Sequence, residues 1–195
     1  DGEATSICAI NPQLTDEDKV AILKQHDFSH VVTDLREPDT KVFLPFVRKV
    51  INPTNLTVSN EIIQSNGNTE TLWLVPTSGT TALPKLVVHS LRSLSISASA
   101  HSKSKNADKL AVWGLFYDIT RYAGYQVFFQ SLLSGGTLVV SNQLSPVQQR
   151  VNECLVAGVT HISATPTMWR KILMCPGSQG LKLEQIVLGG EEADQ

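Results

Sequence analysis

Short apolar runs alternate with amphipathic segments along most of this 195-residue chain. The runs at residues 72–75, 110–115 and 137–140 are largely apolar, so neither face of such a strand is suited to water. Most segments between the runs are too long for hairpins and are typical of crossover connections. This order predicts an α/β fold in which a parallel-rich sheet is covered by helices on both faces.

Periodicity and capping residues predict the individual elements. Helices are expected at residues 16–25, 90–104, 121–133, 146–157 and 166–174, and strands at residues 30–33, 72–75, 86–88, 110–115, 137–140, 161–164 and 186–188. Thr15 is the expected N-cap of the first helix, because acidic residues follow it. Ser145 is the expected N-cap of the fourth helix, with Pro146 at its first position.

The composition excludes several functional classes. A net charge of −2 and a pI near 6.2 provide no basic surface for nucleic acid. No apolar run approaches the roughly 18 residues that a membrane span needs. Cys8, Cys154 and Cys175 are far apart and odd in number, which favours reduced thiols in a cytoplasmic protein. The histidines show no metal-ligand spacing, so no protein-bound metal site is predicted.

A hydroxyl-rich loop follows the strand at residues 72–75. Residues 77–85 read Thr-Ser-Gly-Thr-Thr-Ala-Leu-Pro-Lys, and their backbone N–H groups and hydroxyls can surround a polyphosphate, with Lys85 adding a positive charge. A Walker loop is excluded, because Gly79 stands six residues before Lys85 and Leu86 follows it. Residues 86–88 are expected to be the return arm of the loop. The alternative is a hydroxyl-rich turn that binds nothing.

The loop resembles the T-S-G-T-T-G-x-P-K-x-V sequence of the adenylate-forming superfamily, which contains acyl- and aryl-CoA synthetases, luciferases and nonribosomal peptide synthetase adenylation domains. Ala82 stands where the family usually has Gly, and Ala resists positive φ angles. Three further stretches are similar to family sequences and follow in family order: residues 10–18 with 31–34, residues 159–167, and residues 181–191 ending in Gly-Gly-Glu.

The resemblance implies a two-step reaction. A carboxylic acid attacks ATP to give an acyl-adenylate, and the thiol of CoA or of a carrier protein's phosphopantetheine then takes the acyl group. The residues implied in ATP binding, with Mg²⁺ bridging its phosphates, are Thr77, Ser78, Gly79, Thr80, Thr81, Lys85, Gly189, Gly190 and Glu191. CoA ligases and carrier-protein adenylation domains share every one of these motifs, so both acceptors stay open.

The acid pocket is expected at residues that follow two of the strands. Counting back from Gly135, as the family spacing suggests, indicates Arg121 or Tyr122, and the expected lining residues are Arg121, Tyr122, Ala123, Gly124 and Ser163. In the functional interpretation, Arg121 binds a polar or second carboxylate group of the acid. In the alternative, Asp118 and Arg121 form an i, i+3 pair at a helix start.

The resemblance also implies that residues 1–195 form a partial N-terminal domain. The start of that domain and a mobile C-terminal domain with the main catalytic lysine are expected outside this stretch, so the stretch alone is expected to be inactive. The partner expected of the whole protein is a small carboxylic acid, together with an acyl or peptidyl carrier protein if the acceptor is not CoA. The alternative function, indicated by Ala82 alone, is a catalytically silent binding or structural module that retains the fold.

Overall fold

Strands from two parts of the chain form separate sheets in the structure, which is a computed structural model. It describes residues 4–35, 39–55, 70–77, 84–101 and 110–191. The chain divides into two compact units, residues 1–91 and residues 92–195. Within the described ranges, no helix combines the length and the apolar character that crossing a bilayer requires.

Unit 1 contains a three-stranded and a two-stranded sheet. Its elements are β1 (Ser6–Ile7), α1 (Asp16–Leu23), β2 (His30–Val32), β3 (Lys49–Ile51), β4 (Leu72–Thr77) and β5 (Lys85–His89). The larger sheet has the order β1-β4-β5, with β1 parallel and β5 antiparallel to β4, and β2 pairs with β3 in parallel. The predicted return arm is therefore confirmed as β5.

Helix α1 begins as its sequence predicts. The Thr15 hydroxyl oxygen accepts a hydrogen bond from the Asp18 N–H at 3.1 Å, so Thr15 is the N-cap. Ile22 and Leu23 are buried and attach the helix to unit 1. The helix ends at Leu23, two residues before the predicted end.

Unit 2 is built on one parallel sheet. Its elements are α2 (Leu91–His101, whose first residue closes unit 1), β6 (Val112–Leu115), α3 (Tyr122–Leu133), β7 (Thr137–Val140), α4 (Val147–Val156), β8 (His161–Ala164), α5 (Pro166–Leu173) and β9 (Gln185–Leu188). The strand order is β7-β6-β8-β9, and all pairs are parallel. The predicted parallel-rich sheet is confirmed here.

Helices cover both faces of this sheet. Trp113 and Leu115 of β6 pack with Val127 of α3 on one face. Ile162 and Ala164 of β8 pack against α4 and α5 on the other. Alternating strand residues therefore enter two separate apolar clusters, as the period of a strand requires. Helix α4 corrects one prediction, because its N-cap is Pro146, whose ψ of 144° is extended, and not Ser145.

Candidate functional site

The two ends of the hydroxyl-rich loop lie directly opposite each other in unit 1. Thr77, the last residue of β4, is paired with Lys85, the first residue of β5. The Thr77 hydroxyl donates a hydrogen bond to the Lys85 carbonyl oxygen at 3.2 Å. The loop residues between them, which include the predicted site residues Ser78, Gly79, Thr80 and Thr81 and the variant position Ala82, lie outside the described residues.

The two arms differ in burial. In β4 the side chains of Leu74, Val75 and Pro76 are buried, so this arm belongs to the core of unit 1. In β5 Lys85 is exposed, and Val87 and Val88 are 41% and 57% exposed. The lysine therefore starts from an anchored hairpin and keeps its side chain accessible to an anion.

Gln25 holds the β5 arm from the other side and was not found by sequence reasoning. Its side-chain amide donates to the Pro84 carbonyl oxygen at 2.7 Å. Its side-chain carbonyl oxygen accepts from the Leu86 N–H at 3.2 Å. These contacts lie on either side of Lys85 and join residues 59 and 61 positions apart, so no local pattern could indicate them.

In unit 2, the carboxyl ends of β6, β8 and β9 bring several predicted residues together. The Tyr117 hydroxyl donates to the Gly189 carbonyl oxygen at 3.0 Å. Burial raises the pKa of Tyr117, a hydrogen bond with Ser163 lowers it, and the negative charge of Glu191 raises it. Ser163, Gly189 and Glu191 therefore meet around Tyr117, a residue that the sequence analysis did not select. Its only signal was its position just after an apolar strand.

Gly190 has a conformation that its residue type explains. Its φ of +83° lies in the left-handed region, where a side chain is strained. A Cβ atom there would lie 3.5 Å from Cγ2 of Thr165 and 4.0 Å from Cε1 of Tyr117. These are ordinary van der Waals distances, so the left-handed φ, and not a lack of space, accounts for glycine at this position.

Glu191 contacts the start of α5. Its Oε2 accepts a hydrogen bond from the Thr167 N–H at 3.1 Å. The Thr167 hydroxyl, followed by that N–H, lowers the pKa of the carboxyl group. Thr165 caps the same helix through its hydroxyl oxygen, which accepts from the Met168 N–H. The carboxylate predicted to bind the nucleotide therefore acts, in this structure, as a second cap of α5.

The segment predicted to line the acid pocket begins with a compact turn. The Asp118 carboxylate accepts hydrogen bonds from the Thr120 N–H at 2.9 Å and the Thr120 hydroxyl at 2.8 Å. Its other oxygen lies 3.9 Å from Nε of Arg121, which is the N-cap residue of α3. The alternative i, i+3 pair is thereby confirmed. Binding of the acid by Arg121 stays a prediction.

The remaining pocket residues are divided between the surface and the core. Tyr122 is 44% exposed and Ala123 is half-buried. Gly124 is buried, and a Cβ atom on it would overlap the Asp118 carbonyl oxygen and lie 2.6 Å from Cα of Ile119. Gly124 therefore allows the 118–119 turn to pack on α3, which gives it a structural role.

A cavity of about 820 Å³ lies elsewhere in unit 1, beside β1 and β2. None of the predicted site residues that the structure describes lines it. Cys8 does line it, and burial raises the pKa of this thiol to about 12. Among the described residues there is no group of three or more His, Cys, Asp or Glu side chains that could hold a metal ion.

Comparison with protein families identifies the family of this chain. Residues 5–195 match the family described as AMP-binding enzyme. The chain belongs to the AMP-binding enzyme family. Among curated members, nonribosomal peptide synthetase 8 of Aspergillus fumigatus is 33% identical over 124 residues, which is 61% of this chain and 1% of that protein.

Solved structures share the AMP-binding enzyme fold. O-succinylbenzoate CoA synthetase (MenE) from Bacillus subtilis, in complex with the acyl-adenylate OSB-AMP, matches with a TM-score of 0.71 and 23% identity, over 94% of this chain and 48% of that one. The N-terminal domain of FACL13 from Mycobacterium tuberculosis matches with a TM-score of 0.71 and 17% identity, over 97% of this chain and 52% of that one. The chain thus spans about half the length of these structures, and at these identities the likeness concerns the fold.

Proposed function

We propose that the protein containing this chain activates a carboxylic acid with ATP, forming an acyl-adenylate and pyrophosphate, and then transfers the acyl group to a thiol. The observation that carries the proposal is the pairing of Thr77 with Lys85 at the two ends of the hydroxyl-rich loop, in a chain of the AMP-binding enzyme family. The acyl acceptor is the thiol of CoA or of the phosphopantetheine of a carrier protein. MenE supports the first acceptor and the nonribosomal peptide synthetase supports the second.

The proposed reaction requires two anions to be held together. A carboxylate oxygen of the acid attacks the α-phosphorus of ATP, and the bond to the bridging oxygen breaks, releasing pyrophosphate. The thiolate sulfur then attacks the acyl carbonyl carbon, and AMP leaves. Lys85 and the loop hydroxyls bind the β- and γ-phosphates in this proposal and offset the charge of the leaving pyrophosphate.

Mg²⁺ is expected to accompany ATP, because a small hard cation prefers phosphate and water oxygens. A MenE structure containing ATP and magnesium ion supports this expectation. The described residues of this chain contain no group of three or more His, Cys, Asp or Glu side chains that could hold the ion, so the proposal places it on the phosphates. In the proposal its charge adds to that of Lys85 on the phosphates.

Unit 2 supplies the region proposed to contact the acid and the adenylate. Ser163, Gly189 and Gly190 lie around Tyr117 at the carboxyl ends of parallel strands, where α/β sheets bind their ligands. In the proposal, the absence of side chains at Gly189 and Gly190 lets the backbone come close to a flat ring or an acyl chain. Arg121 stays a proposed contact for a polar group of the acid. An Arg121→Ala enzyme with an unchanged acid profile contradicts that contact.

The proposal is tested with the full-length protein. Purified enzyme is incubated with ATP, Mg²⁺, labelled pyrophosphate and a panel of acids that includes aromatic, fatty, dicarboxylic and amino acids. Acid-dependent exchange of label into ATP is the expected result, and acyl transfer is then compared with CoA and with carrier protein. Residues 1–195 alone are expected to give no exchange, because the groups of such a site act together.

The silent-module alternative rests on Ala82 and makes a different prediction. A module that has lost turnover binds MgATP but gives no exchange with any acid of the panel. If an Ala82→Gly variant of the full-length protein then gains exchange, Ala82 accounts for the loss. If the wild-type protein exchanges with one of the acids, the alternative is wrong.

A further inference from the structure

The side chain of Gln25 imitates a neighbouring strand along one edge of the hairpin. In the described part of unit 1, β5 is the outer strand of the order β1-β4-β5. The backbone N–H and C=O groups of consecutive strand residues point to opposite sides of the strand. If those of Lys85 point toward β4, the Pro84 carbonyl and the Leu86 N–H point away from it. Gln25 donates to the first at 2.7 Å and accepts from the second at 3.2 Å. One carboxamide thus replaces the N–H and C=O groups that one residue of a further strand would provide.

Gln25 is itself held in place. The side-chain nitrogen that donates to Pro84 also donates to the Ala21 carbonyl oxygen at 3.1 Å, so its two hydrogens have separate acceptors. Ala21 belongs to α1, and the next two residues of that helix are buried. The carboxamide therefore links the β5 arm to a helix that is anchored in the core, and it does so with a defined orientation.

The contacts lie at the residues immediately before and after Lys85. Both restrain the backbone and neither uses the lysine side chain. On the opposite side, Lys85 pairs with Thr77. The Lys85 backbone is therefore held from both sides of the strand, while its side chain remains exposed. A long, flexible lysine stem reaches a phosphate reproducibly only if its starting point is fixed.

We infer that Gln25 is a positioning residue for ATP phosphate binding, acting through the backbone on both sides of Lys85. This inference rests on the proposed function. A purely structural role, in which Gln25 only joins α1 to β5, is the alternative. The two roles separate in the kinetics: a positioning role changes the KM for ATP, whereas a structural role changes the melting temperature and the fraction of active enzyme.

The test compares variants of the full-length protein. Gln25→Leu removes both hydrogen bonds to the β5 arm, together with the one to Ala21, at nearly constant size. Gln25→Glu keeps an acceptor for the Leu86 N–H but removes the donor to Pro84. Gln13→Leu is the matched control, because Gln13 is an exposed residue of the same unit whose hydrogen bond to Asn11 is made by its backbone N–H. For each variant, the KM for ATP, the KM for the acid, kcat and the melting temperature are measured in the exchange reaction.

Loss of the two hydrogen bonds to the β5 arm is expected to raise the KM for ATP by about 5- to 30-fold in Gln25→Leu, with the KM for the acid within about twofold of the wild-type value. Gln25→Glu is expected to show the same direction, and the control no change. Equal KM values for ATP in wild type and Gln25→Leu overturn the inference, as does a lower melting temperature with only kcat reduced. If the wild type gives no exchange at all, the proposed function fails instead. Calorimetric titration with MgATP then tests the positioning role of Gln25 by itself. An MgATP affinity of Gln25→Leu equal to that of the wild type overturns the inference.

Discussion

The hairpin of unit 1 and the strand ends of unit 2 build candidate binding surfaces in different ways. In the hairpin, exposed Lys85 is held by cross-strand pairing and by a few side-chain hydrogen bonds. In unit 2, strands β6 and β8 are largely buried on both faces, and the close backbone contact at Gly124 leaves no room for a side chain. Substitutions at the buried positions of unit 2 should therefore reduce stability, whereas substitution of the exposed lysine of the hairpin should reduce ligand binding and leave stability intact.

The largest effect is expected at Gly124, within the core of unit 2. In Gly124→Ala the new methyl group overlaps the backbone of the 118–119 turn, and backbone cannot move aside as a flexible side chain can. The free energy of unfolding should fall by about 3 kcal/mol or more, measured by urea denaturation with tryptophan fluorescence. Gly158→Ala is the control, since Gly158 has φ +66° and a methyl group there would meet no atom within 4 Å, and it should lose only about 1–2 kcal/mol. Equal losses in the two variants contradict this explanation.

The next effect concerns Arg150, a buried cation of unit 2. Its guanidinium lies 4.6 Å from the centre of the Phe116 ring and donates to the Leu115 carbonyl oxygen at 3.1 Å, and burial lowers its pKa. Arg150→Ala leaves a void over Phe116 and an unpaired carbonyl, so the free energy of unfolding should fall by about 2–4 kcal/mol in the same urea experiment. Lys171→Ala removes an exposed charge from α5 and should stay within about 0.5 kcal/mol of wild type. A loss no larger than that of the control shows that Arg150 is not part of the packing.

Lys85 tests the other half of the comparison. A charge-assisted contact to phosphate is worth about 1.5–3 kcal/mol, so Lys85→Ala should reduce kcat/KM for ATP roughly 10- to 150-fold in the exchange reaction of the full-length protein. Its melting temperature should equal that of the wild type, because the side chain is exposed. A large drop in melting temperature with unchanged ATP kinetics would show that Lys85 stabilises the fold and does not bind phosphate.

The smallest effect is expected at Glu191 and depends on pH. Hydrogen bonds from Thr167 lower the pKa of this carboxyl group in the folded state. A lowered folded-state pKa means that the carboxylate stabilises the fold above its unfolded pKa, and that this contribution disappears as the pH falls through the folded pKa. Glu191→Gln should therefore melt slightly below the wild type at neutral pH, and the difference should vanish in acid. Glu184→Gln is the control, and the same difference at every pH would show that no charge is involved.

The parts of the fold that the sequence predicts well are those with strong local patterns. The strands at Thr137–Val140 and His161–Ala164 have the predicted bounds, and α3 begins one residue later than predicted. Helix α3 carries a long apolar run, Thr137–Val140 is a short apolar run, and His161–Ala164 alternates polar and apolar residues as a strand does. By contrast β1 and β3, with two and three residues, were not predicted. Both strands exist because of partners elsewhere in the chain, and the residues of β1 and β3 contain too little pattern of their own.

The candidate site likewise has a part that local sequence predicts and a part that it does not. The hairpin and the Gly-Gly-Glu segment were predicted from contiguous residues, and the structure pairs the ends of the first and places the second beside Tyr117. Gln25 and Tyr117 were missed, because each acts through a contact with a segment that lies at least 59 residues away. A side chain that works through distant backbone has no motif of its own, and only the folded arrangement identifies it.

The pairing of Thr77 with Lys85 also constrains the number of residues in the loop. Side chains of a strand alternate between its two faces, so moving β5 by one residue against β4 would put Pro84 or Leu86 in the place of the lysine and turn the charge to the opposite face. A single inserted or deleted residue between the arms therefore has one of two results. Either the loop absorbs the change and the pairing survives, or the pairing shifts and the positive charge is lost from its face. Chains that keep this hairpin should tolerate different residues within the loop more readily than a different number of them.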